Sequence, residues 1–283
     1  EKGDGVFRII TLGASSTFGY YDKDDETYPY YLEQILNVLL EESECETIDR
    51  FEVINLGVPH LTSSQILSLL RHEGLALMPD VVTLYSGIND AAASVENVAI
   101  QVSGARSSKS WLLIRDYRDI FISIALLENI IRNDVARYSY TDEHTNINDI
   151  RQKYIGNVRA MRNLSQTAGA HFFAATQQAK SDLHDDASIR GVTYNHEVND
   201  LKRMVDNQQV LTIRNIYLLI HSVLMEDLRQ LVDYEFGSPL VDVIAATDSR
   251  RDYLLSWVHV APGGNRIIAK EFDGTIFPLA CAK

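Results

Sequence analysis

The chain has 283 residues, of which 46% are hydrophobic and 23% charged, a composition typical of a folded soluble domain and not of a disordered or collagen-like chain. It carries 39 acidic and 26 basic residues, for a formal net charge of −13. This balance disfavours nucleic acid and anionic membrane surfaces as partners, because both are bound through clustered cations. No uncharged apolar stretch approaches the roughly 18 residues of a membrane-spanning helix, so none is predicted.

Two features bear on processing and redox state. The chain begins at Glu1 rather than Met, from which we expect that an upstream segment was removed, by processing or by design, and a signal peptide or anchor could have been lost with it. Cys45 and Cys281 fit either two inert thiols or one disulfide that closes a long loop. The spacing of these cysteines matches no zinc site.

Three short runs rich in β-branched residues predict buried parallel strands, at Val6 to Leu12, Phe51 to Leu56 and Val81 to Ser86. Between the first two strands, Pro29 stands where a helix would begin, and leucines follow at helical spacing. Between the second and third, Thr62 begins a capping-box pattern that predicts another helix. The order at the start of the chain is therefore βαβαβ.

The rest of the chain predicts further helices and two more strands. Residues from about 91 to 148 interrupt the alternation and are expected to form a helical insertion. The other segments are a helix over 150–168, a fourth strand over 170–176, helices within 192–235, a short fifth strand over 241–245 and a last helix from Pro262. Because neither an internal repeat nor a linker is visible, we predict one doubly wound α/β domain over residues 1–283.

Polar residues follow the predicted strands where each strand ends. Gly13 to Gly19 follow the first strand, Gly57 to His60 the second and Gly87 to Asp90 the third, while His259 precedes the last helix. Ligands of open parallel sheets bind outside the carboxyl ends of the strands, so these segments are expected to converge. A serine hydroxyl, an imidazole that accepts its proton and an amide that stabilises an oxyanion are the parts of a serine hydrolase.

Four sequence blocks in order resemble the SGNH, or GDSL-like, hydrolase superfamily. They are Gly13-Ala-Ser-Ser-Thr17, Asn55-Leu-Gly-Val-Pro-His60, Gly87-Ile-Asn-Asp90 and Ser256-Trp-Val-His259. The resemblance implies a flavodoxin-like, three-layer α/β/α sandwich, which together with the five predicted strands gives a five-stranded parallel sheet. It also implies ester hydrolysis that needs no metal or cofactor.

Carried over by position, the resemblance makes Ser15 the nucleophile, with its own backbone N–H in the oxyanion hole. Asn89 would donate its side-chain amide to the oxyanion, and His259 would be the general base. His60 stands where the family usually has a glycine whose N–H joins the oxyanion hole, so the backbone N–H of His60 is expected there. Gly57 is the alternative if the alignment is shifted.

The last block departs from the family, which normally has an aspartate three residues before the histidine. That aspartate fixes the imidazole tautomer, and this chain has Ser256 in its place. Either a Ser–His dyad operates, with a carbonyl, a water or Ser256 orienting His259, or another acid such as Asp252 substitutes.

Two tryptophans are candidate substrate contacts. Trp257 stands beside His259, and Trp111 lies in the insertion, which follows the third block and must pass near the site. The insertion could be a lid or an acyl-pocket wall. The competing interpretation is that its apolar side chains face the core.

The sequence therefore predicts a serine esterase that hydrolyses carboxylic esters through an acyl-enzyme on Ser15. Alternatives are a carbohydrate O-acetyl esterase or acetyltransferase, and a degenerate, non-catalytic module that binds a glycan or lipid. Activity is expected to rise with pH through roughly 6 to 7, because His259 must be neutral to act as a base. The resemblance slightly favours export over a cytoplasmic location, and the oligomeric state is left open.

Overall fold

A parallel β-sheet forms the centre of the chain. The computed structural model describes residues 2–94, 147–185, 187–207, 209 and 211–282. The strands are β1 (Val6–Gly13), β2 (Arg50–Gly57), β3 (Val81–Tyr85) and β4 (His171–Ala175), in the order β2-β1-β3-β4. Every neighbouring pair is parallel, which confirms the predicted parallel α/β architecture. The order matches the first four places of a flavodoxin-like sheet.

Helices connect the strands and cover the sheet. The helices include α1 (Ser15–Phe18), α2 (Tyr28–Glu41), α3 (Ser63–Leu69), α4 (Ile147–Thr167), α5 (Tyr194–Asp206), α6 (Ile213–Leu231), α7 (Val243–Thr247) and α8 (Pro262–Ala280), and residues 88–94 are helical as well. The start of α2 follows from its sequence: Thr27 caps the helix by accepting from the N–H of Tyr30, and Pro29 lies in the first turn. None of these helices is long and apolar enough to cross a bilayer.

Alternating strand residues build two separate cores, one on each face of the sheet. Ile10 and Leu12 of β1 pack with apolar residues of α3, α4, α5 and α6. Ile9, one residue before Ile10, faces the opposite side and packs with apolar residues of α2 and α8. Since successive side chains of a strand point to opposite faces, this division gives three layers, α/β/α.

The predicted fifth strand is not formed, and the sheet of the described residues has four strands. Val241 makes only an isolated parallel bridge to Ala175 at the edge of β4. The next residue, Asp242, accepts a hydrogen bond from the N–H of Ala245 and caps α7. The cap turns the chain into a helix after one strand-like residue, so the β-branched run continues as α7 and not as a strand.

The predicted insertion, from about 91 to 148, lies mostly outside the described residues, which end at 94 and resume at 147. Trp111 falls within that gap.

The four strands end in one row. Gly13 of β1 is in register with Gly57 of β2 and with Tyr85 of β3, and Tyr85 is in register with Ala175 of β4. The segments that follow the strands therefore leave the sheet at the same edge. Because the chain order reverses between β1 and β3, this edge contains the topological switch point at which open sheets bind ligands.

A disulfide joins Cys45 to Cys281, with their Cα atoms 5.4 Å apart and a sequence separation of 236. This settles the alternatives that the sequence left open. Cys45 follows the C-terminal end of α2, and Cys281 follows the C-terminal end of α8. Both ends lie near the start of β2, so the bridge is at the amino edge of the sheet, opposite the row of strand ends.

We expect the Cys281→Ser variant to lose about 2 to 5 kcal/mol of unfolding free energy, because the bridge restricts a long loop of the unfolded chain. Urea unfolding, followed by circular dichroism, measures the loss. Dithiothreitol should lower the stability of the wild-type chain to that of the variant and leave the variant unchanged. Equal stability of the oxidised wild type and the variant would contradict this.

Candidate active site

Ser15 is the first residue of α1, directly beyond the end of β1, and its side chain is half-buried. The turn that presents it is tight: a Cβ on Gly13 would lie 2.6 Å from the carbonyl oxygen of Tyr85, so only glycine fits there. Thr17 fixes the other side of the turn by donating to the same carbonyl at 3.4 Å. The backbone N–H of Ser15 has no acceptor among the described residues.

The second block packs directly on α1. Asn55 donates to the carbonyl oxygen of Thr17 at 3.0 Å and accepts from the N–H of Gly57 at 2.9 Å. A Cβ on Gly57 would lie 2.3 Å from the backbone nitrogen of Phe18, so this glycine allows β2 to approach the helix. The N–H of Gly57 is thus occupied, and Gly57 has a structural function in this turn.

His60 has a left-handed backbone, with φ of 68°. Few residues other than glycine favour this conformation. The backbone geometry at position 60 therefore agrees with the glycine that the resemblance leads one to expect here. The imidazole of His60 is exposed. Its backbone N–H has no acceptor among the described residues, as for Ser15.

Asn89 and Asp90 connect the third block to the second. The side-chain amide of Asn89 donates one hydrogen bond, to the carbonyl oxygen of Leu61 at 3.0 Å, and keeps a second N–H. Asp90 is buried and accepts from both the N–H and the hydroxyl of Ser63, at the start of α3. Burial raises the pKa of Asp90 to about 6, against the opposing effect of the Ser63 hydrogen bonds. Asp90 therefore anchors α3 beside the site.

A buried ion pair anchors the segment that leads to His259. Arg251 and Glu197 are fully buried and 2.5 Å apart. Arg251 also donates to the carbonyl oxygens of Ala179 and Val192. Removing either charged partner would leave the other unpaired in the interior, which is strongly unfavourable. Further along, the N–H of Lys180 donates to the carbonyl oxygen of Trp257 at 2.8 Å and fixes the loop just before His259.

Ser256 contacts the imidazole of His259 directly. Its Oγ lies 2.7 Å from Nδ1 of His259. The other ring nitrogen, Nε2, is buried and has no hydrogen-bond partner among the described residues. Asp252, the alternative acid, is instead bound by Arg250 and Arg190, each at 3.1 Å, so its carboxylate is engaged elsewhere.

The nucleophile turn and the histidine loop lie against each other although they are far apart in sequence. The hydroxyl of Ser16 donates to the carbonyl oxygen of Val258 at 3.2 Å. The rings of Tyr20 and Tyr21 pack on the imidazole of His259, with ring centres 5.8 and 4.9 Å away. The structure therefore brings the first and last blocks together at one edge of the sheet.

Burial, followed by the nearby charge of His60, lowers the pKa of His259 to about 4. The sequence led us to expect an ordinary histidine that becomes neutral through pH 6 to 7. The lowered pKa differs from that expectation. The imidazole is already neutral between its pKa of about 4 and pH 6, and it is a weaker base than expected.

Trp257 is half-buried, and its ring packs against Tyr217 of α6, with ring centres 5.5 Å apart. Its role as a substrate contact stays a prediction. So does that of Trp111, which lies outside the described residues.

Gln177, a fully buried side chain just beyond β4, also lies at this edge, although no motif in the sequence points to it. Its Oε1 accepts from the N–H of Ile88 at 2.9 Å, and its Nε2 donates to Oγ of Ser16 at 3.3 Å. One amide thus joins the turn of Ser15 to the turn of Asn89. The strand-end rule that we applied to the first three strands, extended to the fourth, would have found it.

Solved structures with a similar fold include three esterase or lipolytic proteins. A protein of Desulfitobacterium hafniense DCB-2, assigned to the G-D-S-L family of lipolytic proteins, matches with a TM-score of 0.52 and 12% identity over 95% of this chain and 99% of its own. The acetyl xylan esterase AlAXEase has a TM-score of 0.51 and 14% identity over 95% and 99%. The acetylxylan esterase Axe2 of Geobacillus stearothermophilus has a TM-score of 0.50 and 15% identity over 95% and 93%.

At these low sequence identities, the similarity shows a shared fold and nothing more. No family model and no curated protein matches this chain.

We expect Gln177→Met to lower the unfolding free energy by about 1 to 3 kcal/mol, because it leaves the buried N–H of Ile88 without an acceptor. Urea unfolding measures the change. Gln166→Met, at an exposed position of α4, makes the same chemical change outside the core and should leave stability within about 0.5 kcal/mol of the wild type. An equal effect of the two substitutions would mean that the hydrogen bonds of Gln177 contribute nothing to the stability of the fold.

Proposed function

Since the chain has the SGNH/GDSL hydrolase fold, we propose that it is a serine esterase that hydrolyses carboxylic esters through an acyl-enzyme on Ser15. The observation that carries this proposal is the contact between the turn of Ser15 and the loop of His259, through Ser16 and Val258. Nucleophilic catalysis requires a hydroxyl beside an imidazole, and this contact supports placing Ser15 and His259 at the same ligand-binding edge.

In the first step, Oγ of Ser15 attacks the ester carbonyl carbon while Nε2 of His259 accepts the hydroxyl proton. Nε2 makes no hydrogen bond to any described residue, Ser15 included, so it is not engaged in a structural bond, and its bond to Oγ forms only as the ester is attacked. His259 then gives the proton to the departing alcohol, leaving the acyl group on Ser15.

In the second step, water attacks the acyl-enzyme, with His259 again taking a proton and returning it to Ser15. Both steps place negative charge on the former carbonyl oxygen. We propose that this oxygen is bound by the backbone N–H groups of Ser15 and His60 and by the second side-chain N–H of Asn89. None of these three donors has a hydrogen-bond acceptor among the described residues, whereas the first N–H of Asn89 holds Leu61.

A carbohydrate ester is a second candidate substrate, which the tyrosines beside His259 favour. Tyr20 and Tyr21 are 53% and 60% exposed, so they offer aromatic surface and hydroxyl groups next to the proposed base. Acetylxylan esterases also share this fold. Acetate release from acetylated xylo-oligosaccharides, compared with release from ethyl acetate, distinguishes a carbohydrate esterase from an esterase of simple esters. A large preference for the sugar ester supports the carbohydrate esterase.

The disulfide supports a location in an oxidising compartment, since such bridges are rare in reducing ones. This agrees with the export that the resemblance favoured.

Ser15→Ala should reduce kcat for 4-nitrophenyl acetate by about 10² or more, because it removes the attacking atom. Ser188→Ala, at an exposed serine in another loop, is the matched control and should keep the wild-type rate. Retention of the wild-type rate by Ser15→Ala would refute the proposal. A wild-type chain that binds acetylated sugar without hydrolysing any ester would instead support the non-catalytic module.

The lowered pKa of His259 predicts that kcat/KM rises with pH through about 4 and is level from about pH 6 to neutrality. The sign follows because only neutral imidazole accepts the proton, and a lowered pKa keeps it neutral at lower pH. Initial rates with ethyl acetate, measured by acetate release from about pH 3 to 8, give the profile. His60→Gly removes the neighbouring charge, keeps the backbone N–H and should move the midpoint upward. A wild-type midpoint between 6 and 7 would contradict this prediction.

A further inference from the structure

Ser256 makes three contacts through one oxygen. Its Oγ lies 2.7 Å from Nδ1 of His259, 3.1 Å from the backbone nitrogen of His259 and 3.3 Å from that of Val258. A serine hydroxyl has one hydrogen to donate and two lone pairs to accept with. The three contacts therefore use its full hydrogen-bonding capacity.

The chemistry of the partners determines the direction of each bond. A backbone N–H can only donate, so the N–H groups of Val258 and His259 occupy the two lone pairs of the Ser256 oxygen. The hydroxyl hydrogen is then the only group that can meet Nδ1 of His259. Nδ1 must accept it, and a neutral imidazole that accepts at Nδ1 carries its own proton on Nε2.

Within the described part of the chain, no carboxylate beside His259 favours the opposite arrangement. Asp252, the nearest acid in sequence, binds Arg250 and Arg190, and no acidic group among the described residues contacts the imidazole of His259. An aspartate at position 256 would be an acceptor only and would require the proton on Nδ1. The serine hydroxyl imposes the reverse.

We infer that Ser256 is a positioning residue that holds neutral His259 with its proton on Nε2, the tautomer that cannot accept a proton from Ser15. The catalytic consequence rests on the proposed function. Before Ser15 can attack, the hydroxyl of Ser256 must turn away, Nε2 must lose its proton and Nδ1 must gain one, with water carrying the proton. Ser256 therefore keeps this esterase slow.

The size of the effect can be bounded from serine proteases. Replacing the triad aspartate by asparagine leaves the geometry intact, favours the wrong tautomer and lowers kcat about 10⁴-fold. Restoring an acceptor at position 256 should recover a large part of such a loss. The side chain of aspartate can still accept from the two backbone N–H groups, so the loop has the same bonds available.

The kinetic test compares two substitutions of the same shape. Ser256→Asp should raise kcat for 4-nitrophenyl acetate by about 10² to 10⁴, because its carboxylate accepts from Nδ1. Ser256→Asn should bring no such gain, since its amide accepts from the backbone and donates to Nδ1 as the serine does. Equal rates for Ser256→Asp and Ser256→Asn would overturn the inference.

The spectroscopic test reads the tautomer without any activity. In protein labelled with ¹⁵N-histidine at neutral pH, we expect the His259 ring of the wild type to show a protonated Nε2 and an unprotonated Nδ1. The loss of its signals in His259→Gln assigns them. Ser256→Asp should move the proton to Nδ1. A wild-type ring protonated on Nδ1 would refute the inference whether or not the Ser256 variants fold.

The two proposals fail in different ways. If Ser15→Ala hydrolyses esters as fast as the wild type, the esterase mechanism is wrong, while the tautomer of His259 is still decided by its nitrogen signals. If Ser15→Ala is inactive but Ser256→Asp is no faster than Ser256→Asn, the esterase stands and the function of Ser256 is refuted.

Discussion

The common register of the four strands determines where the candidate site lies. Gly57, Gly13, Tyr85 and Ala175 form one row, so the segments that carry Ser15, His60, Asn89 and Gln177 all leave the sheet at one edge. A slip of one residue in any pair would reverse the faces of its side chains and detach that segment from the others. The two apolar cores, one on each face, make such a slip unfavourable.

His259 reaches the same edge through buried polar contacts. The Arg251–Glu197 pair and the hydrogen bond from Lys180 to Trp257 fix the loop that precedes His259. Ser16, in the nucleophile turn, binds the same loop through Val258. Such contacts are weak evidence for stability, but they are directional. Their value here is to fix one geometry for a loop that has little regular structure.

Most of the fold could be predicted because strands, caps and helix periodicity are local signals. The prediction of a fifth strand was wrong because Asp242 caps a helix at this point. The β-branched run itself does not show whether it continues as a strand or as a helix. The disulfide was left open because pairing depends on the spatial distance between Cys45 and Cys281.

The site residues were found from strand ends and the resemblance, and their roles stay predictions. The strand-end rule, extended to β4, points to the position of Gln177, but the two bonds of Gln177 join segments far apart in sequence and are visible only in the structure. The direction of the Ser256 bond likewise depends on all three of its contacts.

The most direct measurement is a crystal structure of the protein after reaction with an alkyl fluorophosphonate, which mimics the tetrahedral intermediate. We expect phosphorus bonded to Oγ of Ser15, its phosphoryl oxygen within hydrogen-bond distance of Nδ2 of Asn89 and the N–H of Ser15, and the imidazole of His259 beside the adduct. An unmodified Ser15, or an adduct whose phosphoryl oxygen points away from Asn89, would contradict the proposed chemistry.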